Sequence, residues 1–202
     1  MKGELIRELS KVEGFEDPKI SLEQYVTPPD LAGDLLFTAY MQEDMDEVLD
    51  LGTGTGIMAI GAALLGADVV AVEKDEEVLE KAKENAKALG VSESIDFRLC
   101  DVKEFPEACE KDFFDAVVMN PPFSQHSDEG LDFWDVATSL GERVYSISPA
   151  TGREGIKSFI DSSNHRVIDQ SEYRIDLPAT YGFHTEESRE TLVDLVITEA
   201  NT

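Results

Sequence analysis

Two short stretches of the chain combine residue types that suit the binding of a small ligand. DLGTGTGI, residues 50–57, places glycines at alternate positions directly after an apolar run. Glycine lets the backbone pass close to a ligand, although a tight turn between a strand and a helix would also use it. NPPF, residues 120–123, follows the apolar run VVM with an asparagine, two prolines and an aromatic ring. A plain turn does not need two rigid prolines, so we expect the corner at residues 120–123 to hold a bound molecule.

Carboxylates stand at the ends of two further apolar runs. Glu73 lies near the end of VVAVEK, and Asp101 lies near the end of SIDFRLCDV, which predicts a third strand. At the ligand edge of a parallel sheet, a carboxylate such as Glu73 is placed to accept hydrogen bonds from ribose hydroxyls. Asp101 can accept from an adenine amino group while the Val102 N–H meets the ring. Asp75 has the alternative role of a helix N-cap. Together these strand ends predict a pocket for an adenosine.

The order of these stretches also predicts the elements that position them. From Glu47 onward, apolar runs alternate with amphipathic helical patterns, which is typical of a parallel doubly wound sheet in an α/β fold. We expect seven strands, of which the last two, HRVIDQSEYRIDL and TLVDLVITEA, form an antiparallel pair. We predict one domain over residues 1–202, with an N-terminal helical segment at residues 1–46 and the sheet-containing core at residues 47–202.

The charge of the chain is strongly negative. Forty-three acidic residues against 17 basic ones leave a net charge of −26. The apolar periodicity is regular and ten phenylalanines need burial, so we predict a folded core beneath an acidic surface rather than disorder. Such a surface indicates adaptation to a salt-rich (halophilic) cytoplasm, where ions screen repulsion between carboxylates. Concentrated salt also weakens counterion release, so the missing basic patch does not exclude an RNA substrate.

The cysteines and histidines do not predict a metal site. Cys100 and Cys109 fit neither a zinc knuckle nor a redox pair, so we expect two reduced thiols in a cytoplasmic protein. His126, His165 and His184 lack metal-ligand spacing, which favours structural roles, with an RNA contact as the alternative for His126. No apolar run approaches the roughly 20 residues of a membrane span, and the N-terminus lacks a secretory signal.

The motifs taken together resemble a known family. DLGTGTG, the Glu73 strand end, CDV and NPPF follow the order and spacing of class I S-adenosylmethionine-dependent methyltransferases that act on amino groups. The resemblance implies a Rossmann-like fold, S-adenosyl-L-methionine as cofactor and no metal. It also implies that the Asn120 side-chain oxygen and the Pro121 carbonyl accept the hydrogens of a planar NH₂ group. Pro122 would complete that corner, and Phe123 would stack on the ring that carries the amino group.

A narrower family resembles nearly the whole chain. LEQYVTPPDLAGDLLF, YRIDLPATYGFH and TLVDLVI are similar to segments of small archaeal and eukaryotic rRNA N6-adenine methyltransferases, the methyltransferase-like five family. This resemblance implies an RNA substrate, above all small-subunit rRNA, and a small zinc-binding activator protein as partner. It places Gln24 and Thr27 at the methionine end of the cofactor. The full set of implied cofactor-binding residues is Gln24, Thr27, Gly52, Gly54, Thr55, Ile57, Glu73, Asp101 and Val102.

Departures from the family pattern leave alternatives open. SQH follows NPPF where the family commonly has a lysine, and TEES, residues 185–188, replaces a basic run. The RNA-binding residues are therefore not defined by the resemblance. Guanine N2 methylation of RNA and glutamine methylation of release factors remain alternatives, because related enzymes use NPPF or NPPY. A nucleotide-binding oxidoreductase is disfavoured because Ile57 stands where the dinucleotide fingerprint has its third glycine. A cofactor-binding partner without catalysis would not need NPPF.

Overall fold

Seven strands form one sheet in the part of the chain that this computed structural model describes, which is residues 1–19, 22–109, 111, 113–122, 129–178 and 188–201. For residues 129, 176–178 and 188–190 only the backbone is described. The strands are β1 Glu47–Leu51, β2 Asp68–Glu73, β3 Ile95–Leu99, β4 Phe114–Met119, β5 Gly141–Pro149, β6 His165–Pro178 and β7 Ser188–Ala200. Their order across the sheet is β3-β2-β1-β4-β5-β7-β6.

The sheet is parallel on one side and antiparallel on the other. Strands β3, β2, β1, β4 and β5 pair in parallel, whereas β7 runs antiparallel to both β5 and β6. This architecture confirms the predicted doubly wound sheet with its C-terminal antiparallel pair. The strand order reverses between β1 and β4, and in open α/β sheets ligands bind at the carboxyl ends of the strands where this reversal occurs.

Helices cover both faces of the sheet. They are α1 Lys2–Leu9, α2 Pro29–Met41, α3 Ile57–Leu64, α4 Glu76–Ala88, α5 Phe105–Ala108, α6 Glu129–Leu140 and α7 Arg153–Ser162. Successive side chains of a strand point to opposite faces, so each strand contributes to two apolar layers. In β1, Val48 joins the layer that contains Leu9 of α1, and Leu49 joins the layer that contains Trp134 of α6 and Ile160 of α7.

The N-terminal helical segment packs on the sheet by its apolar residues. Leu5 and Leu9 of α1 are buried. Helix α2 begins directly after Pro28 and has Pro29 at its first position, where the missing N–H costs nothing. Leu36 of α2 is fully buried in the same layer as α1. The start of α2 therefore has a fixed position beside the sheet.

The third strand is shorter than its sequence predicts. β3 ends at Leu99, so Asp101 and Val102 lie in the loop beyond it. The reason is its neighbour: Leu99 pairs with Glu73, the last residue of β2, after which the chain turns into α4. Asp75 caps α4 by accepting a hydrogen bond from the Glu77 N–H, as the alternative reading of Asp75 predicts. Strand pairing stops where its partner leaves the sheet.

Candidate active site

The loop after β1, residues 52–56, is called the glycine loop here, and two aromatic rings pack against it. Gly52 and Gly54 have φ angles of +69° and +55°, in the left-handed region that favours glycine. A Cβ on Gly52 would lie 2.8 Å from the ring of Phe133, and one on Gly54 would lie 3.3 Å from the ring of Phe15. Both rings therefore pack directly on this loop. Neither Phe15 nor Phe133 was among the predicted site residues.

A cavity opens at the carboxyl ends of β1, β2 and β4, beside this loop. It is walled by the loop, by residues 22–27, which we call the crossing segment, and by Phe15 and Phe133. Most of the predicted site residues line it together: Gln24, Thr27, Gly52, Gly54, Thr55, Ile57, Glu73, Asp101, Val102, Asn120 and Pro122. Pro121 is buried just after the end of β4, and Phe123 lies outside the described residues.

Glu73 binds the glycine loop through its carboxylate. One oxygen accepts a hydrogen bond from the Gly54 N–H at 3.0 Å, and the other accepts from the N–H groups of Lys74 and Asp75, each at 3.0 Å. Burial raises the pKa of Glu73 above its usual value, and these hydrogen bonds oppose the rise. A carboxylate offers about four lone-pair sites, so these three donors leave room for a ribose hydroxyl. The ribose role stays a prediction.

Asp50 is a buried carboxyl at the end of β1 that sequence reasoning did not single out. One of its oxygens accepts hydrogen bonds from the Thr53 hydroxyl at 2.7 Å and from the Ala59 N–H at 2.9 Å. Its other oxygen has no partner among the described residues. Burial, with a smaller contribution from the nearby carboxyl of Glu73, raises the pKa of Asp50 to about 7, and the hydrogen bonds from Thr53 and Ala59 oppose the rise. Asp50 thus joins the glycine loop to the start of α3.

We expect the protonation of Asp50 to make stability depend on pH. With a folded-state pKa of about 7, folded chains keep a proton on Asp50 above pH 4 that unfolded chains release. This stabilisation is fully present below the unfolded pKa and is lost as pH rises through about 7. The free energy of unfolding should fall by on the order of 4 kcal/mol from this group alone.

The variant Asp50→Asn isolates this contribution, because an amide does not titrate in this range and every other acidic group is unchanged. Urea unfolding of the wild type and Asp50→Asn at pH 5 and pH 8 measures it. The wild type should lose more stability between the two pH values than the variant does. Equal losses would show that Asp50 is already ionised at pH 5 in the folded chain.

The crossing segment is attached to the end of β2 by Gln24. The Gln24 Nε2 donates a hydrogen bond to Asp75 Oδ2 at 2.8 Å, and its Oε1 accepts from the Lys19 N–H at 2.8 Å. The Lys19 ammonium contacts the same Asp75 carboxylate at 2.8 Å. Although Gln24 lines the cavity, both ends of its amide have protein partners. Its predicted contact with the methionine end of the cofactor stays a prediction.

The opposite end of the crossing segment contacts Asn120. The Tyr25 hydroxyl donates to Asn120 Oδ1 at 2.6 Å, and Asn120 Nδ2 donates to the Thr27 hydroxyl oxygen at 2.9 Å. Tyr25 is a site residue that sequence reasoning missed, although it lies between Gln24 and Thr27 in the QYVT stretch. Its position between two predicted site residues was the available signal.

A second pair of charges borders the cavity near Asp101. The Asp101 carboxylate accepts a hydrogen bond from the Lys103 N–H at 3.0 Å. The Lys103 ammonium forms an ion pair with Asp132 of α6 at 2.7 Å, across the wall that also contains Phe133. This pair joins the loop after β3 to α6. Nothing in the spacing of Lys103 and Asp132 along the chain indicated their contact.

The remaining singled-out residues have structural positions or lie outside the described residues. His165 is buried in β6, with Nδ1 3.0 Å from the Thr198 hydroxyl, which fits the structural role expected of it. Trp134 is buried in the core. His126 and His184 lie outside the described residues. Across the described ranges, no group of three or more His, Cys, Asp or Glu side chains could hold a metal ion. Among the helices that the structure describes, none has the length and apolar character to span a membrane.

Comparison with known proteins gives matches along nearly the whole chain. A family model described as a methyltransferase domain matches residues 42–144. An rRNA N6-adenosine-methyltransferase of the zebrafish Danio rerio is 36% identical over 195 residues, which cover 93% of each chain. Its namesake in Drosophila melanogaster is 35% identical over 193 residues, which cover 92% of this chain and 90% of its own length.

The three-dimensional structure is also similar to a solved one. A crystal structure from Pyrococcus horikoshii, of a protein whose proposed activity is RNA methylation, superposes with a TM-score of 0.89 at 35% sequence identity. The superposition covers 100% of this chain and 98% of that chain. The likeness therefore includes both the sheet and the N-terminal helical segment.

Proposed function

The chain belongs to the methyltransferase-like five family of rRNA N6-adenosine methyltransferases, and we propose that it transfers a methyl group from S-adenosyl-L-methionine to N6 of an adenine in rRNA. The observation that carries the proposal is the position of Asn120. This half-buried amide lies at the end of β4 and faces the same cavity as Glu73 and the glycine loop. An acceptor for an amino group and a pocket for an adenosine are thereby adjacent.

The residues of the cavity fit the proposed cofactor. Gly52 and Gly54 lack the Cβ that would meet the rings of Phe133 and Phe15, so the glycine loop and both rings border the cavity together. Glu73 and Asp101 would accept hydrogen bonds from the ribose and the adenine amino group, with the Val102 N–H at the ring. Thr27, Thr55, Ile57 and Gln24 would surround the methionine end. When bound, the cofactor supplies a methyl group on a cationic sulfur that departs as a neutral thioether.

The corner at residues 120–123 would align the amino nitrogen for transfer. The Asn120 Oδ1 and the Pro121 carbonyl would each accept one hydrogen of the amino group, because the prolines fix the backbone directions. Phe123 would stack on the base, and Pro122 already borders the cavity. The amino nitrogen would then be held for in-line attack on the methyl carbon, and the amino proton would pass to solvent during or after transfer. Alignment and exclusion of water account for the acceleration, and no general base is required.

Methylation of total rRNA tests the proposal against its rivals. The purified protein is incubated in molar KCl with methyl-labelled cofactor, rRNA and a release factor, and Asn120→Ala, which should be at least about a hundredfold slower, serves as the low-activity control. Digestion to nucleosides should place the label on N6-methyladenosine. Label on N2-methylguanosine, label on the release factor, or no transfer at all would each overturn the assignment to adenine N6.

The acidic surface suggests how salt should affect the fold. The acidic side chains that give the net charge of −26 repel one another. The screening length of this repulsion grows from about 3 Å at 1 M salt to about 10 Å at 0.1 M. We expect the melting temperature to rise by roughly 5–10 °C between 0.1 M and 2 M KCl, which corresponds to about 2–3 kcal/mol. Thermal unfolding followed by circular dichroism measures this, and sucrose at equal osmolality controls for solvent exclusion. An unchanged melting temperature in KCl would contradict adaptation to a salt-rich cytoplasm.

The outer strand β3 is the place we propose for a small zinc-binding activator protein. β3 is an edge of the sheet, and an edge strand offers unpaired backbone groups to a partner. Leu99 at its end is 52% exposed. A partner that adds a strand there would cover this side chain. Cys100 and Cys109 are free thiols, as expected in the cytoplasm, where we place the protein.

A further inference from the structure

The Tyr25 hydroxyl contacts the side chain that the proposed reaction uses to hold the amino group. We propose that Tyr25 is a positioning residue for methyl transfer, which orients the Asn120 amide so that Oδ1 faces the amino group. This inference rests on the proposed function and adds to it a residue outside the NPPF corner. Tyr25 also lines the cavity that Asn120 faces.

The two distances at the Asn120 amide support this orientation. The Tyr25 hydroxyl lies 2.6 Å from Oδ1, a separation typical of an O–H···O bond, and Nδ2 lies 2.9 Å from the Thr27 oxygen, which is typical of N–H···O. An amide oxygen has two lone pairs. Tyr25 uses one of them, and no donor among the described residues uses the other, which would accept from the amino group of the base.

The Asn120 side chain needs such partners. β4 ends at Met119, so Asn120 lies beyond the last strand pair, and it is only half-buried. The terminal torsion of asparagine is broad and nearly two-fold, so a half-buried amide without partners exchanges its oxygen and nitrogen positions readily. With Nδ2 in the place of Oδ1, two sets of N–H groups would face each other and the base would be displaced.

Tyr25 can impose an orientation because the crossing segment is attached at both ends. On one side, Gln24 donates to the Asp75 carboxylate at the start of α4. On the other side, Thr27 is followed by Pro28 and Pro29, which begin the packed helix α2. The segment thus extends from the end of β2 to the end of β4, over the carboxyl end of β1. A hydroxyl attached to a fixed backbone can restrict a mobile amide.

The variant Tyr25→Phe removes only the hydroxyl and tests the proposal. At saturating cofactor, the single-turnover rate of rRNA methylation should fall about tenfold, as expected for one lost hydrogen bond. The cofactor dissociation constant should stay unchanged, and the melting temperature should fall by no more than about 2–4 °C. Tyr40→Phe is the matched control, because Tyr40 is equally half-buried on α2, where its ring stacks on Phe37. That control should methylate at the wild-type rate.

A double-mutant cycle separates positioning from packing. If Tyr25 acts through Asn120, Tyr25→Phe should have no further effect on the rate in an Asn120→Ala background, because coupled residues are not additive. An equal slowing in both backgrounds, or weaker cofactor binding in Tyr25→Phe, would overturn the proposal. Either result would mean that Tyr25 contacts the cofactor or the base directly.

Side-chain amide NMR gives a readout that does not depend on activity. In a ¹⁵N spectrum, the Asn120 Nδ2 signals are identified by their disappearance in Asn120→Ala. They should shift in Tyr25→Phe and remain unchanged in Tyr40→Phe, and unchanged signals in both would overturn the hydrogen bond. A wild type that methylates no adenine overturns the proposed function, and the role of Tyr25 with it. Unshifted amide signals in a chain that does methylate adenine overturn the positioning role alone.

Discussion

Asn120→Ala should lower the single-turnover rate of rRNA methylation by at least about a hundredfold and leave cofactor affinity within about tenfold of the wild type. The substitution removes the acceptor that the amino group needs and lets the nitrogen move off the line of transfer. A displacement of about 1 Å is enough for a loss of that size. Asn120 contacts Tyr25 and Thr27 rather than Glu73 or Asp101, so the adenosine end of the pocket should be unaffected.

Asn164→Ala is the matched control for this experiment. Asn164 is exposed and directly precedes β6, so its substitution makes the same chemical change far from the cavity. Rapid-quench methylation and calorimetric titration with the cofactor, both on the same preparations, separate the rate from the affinity. If Asn120→Ala methylates at the wild-type rate, the corner at residues 120–123 is a turn and the proposed alignment is wrong. A loss of cofactor affinity as large as the loss of rate would move Asn120 to the cofactor site.

Glu73→Ala should weaken cofactor binding by about 2–3 kcal/mol, or roughly 30- to 150-fold, because hydrogen bonds to a charged acceptor are lost. The substitution also leaves the Gly54 N–H without the acceptor that it has at 3.0 Å, so the glycine loop loses a tie to β2. Calorimetric titration with S-adenosyl-L-methionine measures the change directly.

Two further variants define what the Glu73 carboxylate contributes. Glu73→Gln keeps an acceptor oxygen and removes the charge, so it should lose less affinity than Glu73→Ala. Glu93→Ala removes an exposed carboxylate from the turn Ser92–Ser94 and controls for the loss of negative charge. Affinity equal to that of the wild type in Glu73→Ala would show that the ribose is held elsewhere. Equal weakening in Glu93→Ala would assign the effect to net charge.

The local sequence determined the elements and the edge at which they meet. Consecutive apolar residues such as Val48 and Leu49 define a strand with two buried faces, and this pattern is readable without tertiary information. The positive φ angles of Gly52 and Gly54 are likewise a local property, which the presence of glycine at these positions indicates. Because parallel strands end at a common edge, the residues after β1, β2 and β4 were predicted to converge, and they line one cavity.

Only the tertiary structure decided which side chains meet across that cavity. Tyr25 and Asn120 are 95 positions apart along the chain, and their contact follows from the path of the crossing segment over β1. The path depends on Gln24 reaching Asp75, a contact between residues 51 positions apart, and on the packing of α2. The stop of β3 at Leu99 also depends on the neighbouring strand, because a strand ends where its partner leaves. The periodicity of apolar residues predicts which face of a strand or helix is buried. Which side chain then contacts which depends on how separate elements pack in the tertiary structure.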